Sequence, residues 1–383
     1  MSENAAIGSP AQDGKTRLGL RDRIRLLRQR AVSTPAFHHW LRRMPFGRRF
    51  ANARAADLMT IISGFVQSQV LSVCLKSGIL DLLKQQPLPA PAIAARLDLP
   101  VRNLEPWLQS ATALGILQKL DNGMFALGDH GAVVASDAGL QDMIRHHDVL
   151  YRDLLQAQQL LHTGHRDTEL HTFWSYTGKH GVDSAEAKAY SQVMSSSQQM
   201  LADEIAASCR FSDFKTIVDI GGGTGRFLRA IGTRHPHLSL HLFDLPAVIA
   251  EAQEAMEKHG FSNRCIFHSG SFFDDEVPRD HDLYCLIRVL FDHQDDSVIR
   301  LLSNVRKAMQ PGAKLMIAEP MAGTSKAEQI SAAYFSVYLF AMGGGRCRTP
   351  CEINDLTKLA GFKRLRLIKT SNPMLLTVLE VQA

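Results

Sequence analysis

The chain is 383 residues long, 45% apolar and 21% charged, the composition of an ordinary soluble globular protein, so disordered, collagen-like and membrane classes are not expected. That length exceeds the usual span of one compact domain and points to two, each able to bury its own core. The formal charge of +5 is unevenly placed: up to position 60, twelve basic residues stand against four acidic ones, so the arm carries +8 and the remainder −3.

Residues 1–15 are small and polar and are expected to be disordered. From 17 to 31, Leu20, Ile24, Leu27 and Ala31 recur at helical spacing while Arg17, Arg21, Arg25 and Arg28 line another side. The stretch WLRRMPFGRRF (40–50) again interleaves aromatic and apolar residues with arginines. Such a basic amphipathic arm fits an anionic membrane surface or an acidic partner; the plainer alternative is a helix packed on the fold with solvated arginines, and nucleic acid is a weaker third choice. The segment Leu58 to Leu75 is interrupted by Gln67, Ser68 and Gln69 and falls short of the about 18 uninterrupted apolar residues of a membrane span, so it reads as a buried helix.

From about 55 to 140 the pattern is helical and then turns at Asp121-Asn122-Gly123 into a two-strand wing. A winged helix in isolation points to DNA, but the segment Val101 to Leu114 carries Glu105 and a single arginine, Arg102, and lacks the cationic footprint that phosphate contacts need. It is read as a dimerisation element, and no nucleic-acid partner is expected. Helices continue to 213. From Lys215 the grammar changes to short β-branched runs between helical segments: TIVDI, LSLHLFD, CIFHSG, DLYCLIRV, KLMIAEP, KRLRLI and MLLTVLEV. That alternation means βαβ units and a mostly parallel sheet. The six cysteines are scattered, with three residues between the nearest pair, Cys347 and Cys351, and no secretory leader is recognisable. Free thiols, no metal and a cytoplasmic setting are therefore expected, the basic arm allowing peripheral contact with a membrane's cytoplasmic face.

The first strand runs into a glycine turn, TIVDIGGGTG at 216–225. Glycines there let the backbone turn sharply and let a ligand lie against it. A second acid, Asp244, ends the next strand 23 residues after Gly221, where a carboxylate can accept both hydroxyls of a ribose. Dinucleotide folds share these features. Adenosylmethionine is favoured because Asp219 lies inside the strand within reach of a ligand ammonium, the run DIGGGTG has an extra central glycine relative to GxGxxG, and no N-terminal βαβ half precedes the turn. Ser271 and Phe272 follow the third strand, where a polar group can meet an adenine amine and an aromatic ring can cover the base.

In order along the chain, VDIGGGTG, FDLP (243–246), GSFF (270–273), RVLFDHQDD (288–296), PGAKLMIAEP (311–320) and GGGRCRTPCEINDLTKLAGF (343–362) resemble the small-molecule O-methyltransferases of plants and bacterial secondary metabolism, over roughly 55–380. The resemblance implies an α/β fold: a Rossmann-like, seven-stranded methyltransferase domain at 214–383, preceded by an all-helical and winged-helix dimerisation and lid domain at 55–213 and by the basic arm at 1–54. It implies S-adenosyl-L-methionine held by Asp219, Gly221, Gly223, Asp244, Ser271, Phe272 and Arg288, a homodimer, and Ser271 where the family has Asp. The family's catalytic His, in a Leu-His-Asp-Trp segment, is replaced by Phe291. Of two acids that orient that His, Glu319 remains and Cys347 replaces the other.

A phenol near pKa 10 is acidic enough for a histidine to help remove its proton, whereas an aliphatic alcohol is not, so alignment rather than base catalysis then carries the rate. His293 is the candidate displaced base, with packing as its alternative role; Glu319 is the other catalytic candidate. The arm, GFVQSQVL at 64–71 and the FDH substitution resemble the branch of the family that methylates tertiary hydroxyls of acyclic carotenoids in purple photosynthetic bacteria. That likeness implies a lipophilic acceptor against Trp174, Tyr176, Met194, Tyr334, Tyr338 and Met342, with Arg346 and Arg348 shaping the pocket or lid. The alternatives are a bacteriochlorophyll ring methyltransferase and, in a different class, an inactive dimeric winged-helix regulator.

Overall fold

A computed structural model describes residues 19–164, 168–175 and 198–383. The expected disorder of 1–15, Tyr176, Met194 and the side chain of Trp174 lie outside the described residues. The described residues divide into two compact units, one up to Val73 and one from Cys74 onward.

In the first unit α1 (Leu20–Val32) buries none of its residues, so Leu20, Ile24 and Leu27 project into solvent as freely as the arginines between them. It is followed by α2 (Pro35–Arg43) and by α3 (Pro45–Lys76), which continues into the second unit. The expectation that Leu58 to Leu75 is buried fails over its first half. Leu58, Met59, Ile61, Ile62 and Phe65 are exposed, and burial begins only near Val70. By length and composition Gly47–Lys76 is the one helix among the described residues able to cross a membrane. An apolar face left open by its own chain marks a surface that another apolar surface covers.

The second unit begins with α4 (Ile79–Gln85), α5 (Ala90–Arg96) and α6 (Val101–Ala113), followed by the antiparallel wing β1 (Leu117–Lys119) and β2 (Phe125–Leu127). The wing turns where the sequence indicates, with Gly123 at φ +80°. Next come α7 (Asp129–Ser136), α8 (Ala138–Leu154), α9 (Ala157–Thr163), α10 (Glu169–Ser175) and α11 (198–208). Helix α8 starts where the Asp137 carboxylate accepts the Leu140 N–H at 3.0 Å.

The seven strands read from the sequence all form: β3 (Thr216–Ile220), β4 (Ser239–Asp244), β5 (Cys265–Ser269), β6 (Leu283–Ile287), β7 (Lys314–Glu319), β8 (Arg364–Ile368) and β9 (Thr377–Gln382). They make one sheet in the order β5-β4-β3-β6-β7-β9-β8, parallel except for β9, which runs against both β7 and β8. Ile217, Leu240, Leu242 and Cys285 point to one core, and Val218, Tyr284, Leu286 and Ile317 to the other. Burial on both faces is why these strands read as near-continuous apolar runs. Helices α12 (Arg226–Arg234), α13 (Pro246–Lys258), α14 (Asp295–Ala308), α15 (Lys326–Met342) and α16 (Pro350–Leu359) complete the fold, the last two opened by Ser325/Glu328 and Thr349/Glu352 capping boxes. The chain lays β4 and β5 on one side of β3, then crosses to β6 and β7 on the other. The crevice outside the carboxyl ends of β3 and β6 is therefore the topological switch point, where open α/β sheets bind ligands.

Candidate active site

The glycine turn sits at that switch point. Gly221 has φ +69°, its N–H donates to the Phe243 carbonyl at 2.8 Å, and a Cβ there would lie 3.1 Å from Val289 Cγ2 and 3.6 Å from Phe272 Cε1. A side chain at Gly222 would meet Asp219 Oδ2 at 2.8 Å, so the Asp219 carboxyl lies directly under the turn. Asp219 is buried, its Oδ1 has no hydrogen-bond partner in the described structure, and burial, then the nearby Asp244, holds its pKa well above the usual carboxylate range. Asp244 accepts from the Gly223 N–H at 2.9 Å and the Leu245 N–H at 2.7 Å; burial raises its pKa and these two donors oppose the rise. An orphaned buried carboxyl beside a second one calls for a ligand that brings positive charge and donors, as the ammonium and ribose diol of an aminoacyl nucleoside do.

Ser271 and Phe272 stand beside this turn. The Ser271 hydroxyl donates to Asp274 Oδ2 at 3.1 Å and accepts the Phe273 N–H at 3.2 Å, while the Ser271 N–H donates to Asp275 Oδ2 at 2.7 Å. Asn304 of α14 anchors the Phe272 carbonyl at 3.1 Å. Asp274, which holds the hydroxyl at the family's Asp position, was not singled out in the sequence; the pair of acids Asp274 and Asp275, three and four residues past that serine, was the available signal. His293 meets Phe272 and Phe273 edge-on, with ring centroids 5.8 and 5.1 Å apart, and burial followed by the Arg348 charge lowers its pKa. The structure thus sets His293 against the aromatic pair of the loop that follows β5.

The loop after β6 carries Phe291, and it is clamped by its backbone. Arg288 adopts φ +56°, donates its N–H to Ala318 O at 2.8 Å and places its guanidinium 5.2 Å over the Phe291 ring. The Phe291 N–H donates to Glu319 Oε2 at 3.1 Å, and the Phe291 carbonyl accepts from the Arg346 N–H at 2.9 Å. Arg348, fully buried, donates to the carbonyls of Leu290 (3.0 Å) and His293 (2.6 Å) and to Asp295 Oδ1 (2.8 Å). Burial pushes Glu319 up to about 8, against Arg348, and Asp292 up to about 7, against Arg288. The Cys347 thiol points at Pro320 O, 3.6 Å away, and burial pushes it up to about 11. Arg346 and Arg348, expected to shape a pocket or lid, fasten this loop, and Glu319 holds an amide.

Phe335 links α15 to the loop, 6.2 Å edge-on from Phe291. Beyond it Tyr334 and Tyr338 stack at 5.6 Å, and each shares a hydrogen bond with a histidine of α8: His147 with Tyr334 at 2.7 Å, His146 with Tyr338 at 2.8 Å. Burial lowers both imidazoles, His146 to about 4, and raises the Tyr334 hydroxyl, so this wall is uncharged at neutral pH. Met342 packs at the edge of the Leu150, Leu170, Tyr338 and Ala341 cluster, and its carbonyl bonds His171 Nδ1 at 2.8 Å. The sequence reading found Tyr334, Tyr338 and Met342 but missed His146 and His147, whose partners lie about 190 residues away.

Residues 159–363 match the O-methyltransferase domain family, more than half of the chain, and residues 59–137 match the O-methyltransferase dimerisation domain. The chain is 36% identical over 380 residues to the demethylspheroidene O-methyltransferase of Rhodobacter capsulatus, covering 98% of this chain and 91% of that one. It is 35% identical to the enzyme of the same name from Cereibacter sphaeroides, covering 96% of each. The chain belongs to the O-methyltransferase family. This methyltransferase shares its fold with human N-acetylserotonin methyltransferase solved in complex with SAM (TM-score 0.67, 21% identity, 86% and 97% of the two chains). Its cofactor is S-adenosylmethionine, and the orphaned Asp219 oxygen and the Gly221 cradle fit that group. The dimerisation domain supports a homodimer, and it begins in the apolar stretch of α3 that its own chain leaves open. With the cofactor turn intact in an enzyme of this family, the alternative of an inactive winged-helix regulator is set aside.

Proposed function

We propose that this methyltransferase acts on a tertiary hydroxyl of an acyclic carotenoid, giving a methoxy carotenoid and S-adenosylhomocysteine. The observation that carries the reading is the loop at Phe291: the position of the family's phenol-activating histidine holds a phenyl ring, and Glu319 is committed to the Phe291 amide. Similarity to two demethylspheroidene O-methyltransferases over nearly the whole chain supports the same acceptor class. So does the uncharged tyrosine, phenylalanine and leucine wall on α8 and α15.

In this reading Asp219 faces the cofactor's ammonium, Asp244 the ribose hydroxyls, and Ser271 and Phe272 the adenine, with Gly221 and Gly223 leaving room and Arg288 holding the loop beside them. S-adenosylmethionine supplies a methyl group on a positively charged sulfur. Phe291, Phe335, Tyr334 and Tyr338 exclude water and hold the hydroxyl oxygen in line with that methyl carbon, so that the new C–O bond forms as the C–S bond breaks. The hydroxyl is not ionised beforehand: methyl transfer leaves the proton on the ether oxygen, a very strong acid that sheds it to solvent as the product leaves. In the same reading the enzyme attaches peripherally to the anionic cytoplasmic face of a membrane that dissolves the substrate; the exposed apolar edge of α1, set among arginines, supports this.

The test is incubation with methyl-labelled cofactor and three acceptor pools: hydroxycarotenoids in liposomes, bacteriochlorophyllides, and catechol-type phenols. Label in the hydroxycarotenoid pool is the expected result. Label confined to phenols or to bacteriochlorophyllides overturns the assignment.

A further inference from the structure

On the face of β4 and β5 that carries Phe243, three histidines converge. His241 of β4 and His268 of β5 stack at 5.3 Å, with His241 Nδ1 3.0 Å from His268 Nε2. His281, in the turn before β6, lies 4.2 Å from His241 between ring centroids. One nitrogen from each of the three lies within 4.8 Å of the other two. His281 is 6% exposed, and neither of its ring nitrogens has a hydrogen-bond partner. A buried imidazole with two unanswered nitrogens is costly unless something occupies the space it faces.

The turn that carries His281 is pinned. Asp282 accepts the N–H groups of Lys215 (2.7 Å) and Thr216 (3.0 Å), and Gln310 donates to Asp280 at 3.0 Å. The orientation of His241 is set as well, because its Nε2–H can donate to Ser239 Oγ at 3.2 Å, which turns the Nδ1 lone pair into the cluster. All three imidazoles are held neutral, chiefly by burial, the state in which imidazole ligates. Zinc bonds of about 2.0–2.1 Å at tetrahedral angles separate nitrogens by roughly 3.4 Å, within the spread of this trio.

We propose that His241, His268 and His281 form a binding site for a divalent transition-metal ion of the zinc class, with three imidazole ligands and an open fourth position for water. The ion takes the place of the proton shared between His241 and His268, and that proton moves to His268 Nδ1. The site is separate from methyl transfer. It ties together β4 and β5, whose ends carry Asp244 and Ser271, and the turn leading into β6.

The test uses the full chain, stripped of metal by chelator dialysis and titrated with zinc alone against a chromophoric chelator. One tight equivalent is expected, with only nitrogen and oxygen neighbours at about 2.0 Å in zinc-edge X-ray absorption. His281→Ala and His268→Gln are expected to lose that equivalent while retaining the metal-free melting temperature of the parent. Ser239→Ala, which frees the outer nitrogen of His241, is expected to weaken zinc by roughly 10- to 100-fold. Absence of a tight equivalent, retention of it in His268→Gln, or sulfur in the zinc shell from Cys347 or Cys351 overturns the proposal.

Discussion

Arg348→Met tests the clamp on the Phe291 loop. The guanidinium is fully buried and donates to three groups: the Leu290 and His293 carbonyls and Asp295 Oδ1. Asp295, with 43% of its side chain exposed, can rehydrate when the arginine is lost, so it adds little to the cost. The two carbonyls are different, since each acceptor stranded away from water costs about 1–3 kcal/mol. Methionine fills the volume of the stem, so the cavity contribution stays small. The total comes to about 3 kcal/mol, which for a fold of this size lowers the melting temperature by roughly 4 °C, readable by calorimetry. Arg348→Lys should recover less than half of that, because one ammonium cannot reproduce a planar fork serving three acceptors. A melting temperature within about 2 °C of the parent for Arg348→Met would refute the clamp.

Other consequences are as direct. Glu319 holds its proton in the fold up to about pH 8 but only to about 4.5 when unfolded, so its contribution to stability falls as pH rises through that window. Glu319→Gln, permanently neutral, should therefore exceed the parent in stability at pH 8.5 and converge with it near pH 5; a gap that does not change with pH contradicts the raised value. Gly221→Ala forces a side chain into a left-handed conformation at a cost of about 1–2 kcal/mol and pushes on Val289, so calorimetric titration should show S-adenosylmethionine binding weakened about tenfold or more. Unchanged affinity would mean that the turn does not cradle the cofactor. Deletion of residues 1–50 should abolish sedimentation with anionic liposomes, and unchanged sedimentation would remove the membrane role of the arm.

How much of this was legible in the sequence follows from the range of each interaction. The strands from Thr216 to Gln382 could be read because both faces of the sheet are buried and each run is apolar throughout. The cofactor turn could be read because its glycines, Asp219 and Asp244 are fixed by local backbone geometry at short spacing. Leu58 to Phe65 were misread because an apolar helix has the same pattern whether its own chain or a second subunit covers it. The pairing of His146 and His147 with Tyr338 and Tyr334 was invisible, since nothing near residue 146 records a hydroxyl from α15. The same is true of His241, His268 and His281, which adjacent strands and a turn bring together without any spacing signature. Phe291 announced the loss of the histidine, but only the structure shows Glu319 and Arg348 reassigned to the loop backbone.

The central claim is that methyl transfer here proceeds without a histidine base, and the most direct measurement is the single-turnover rate of label transfer to a hydroxycarotenoid by His293→Ala beside the parent. The account predicts rates that agree within a few-fold. A fall of about 10²- to 10⁴-fold, the usual cost of removing a general base, with cofactor affinity unchanged, would contradict it.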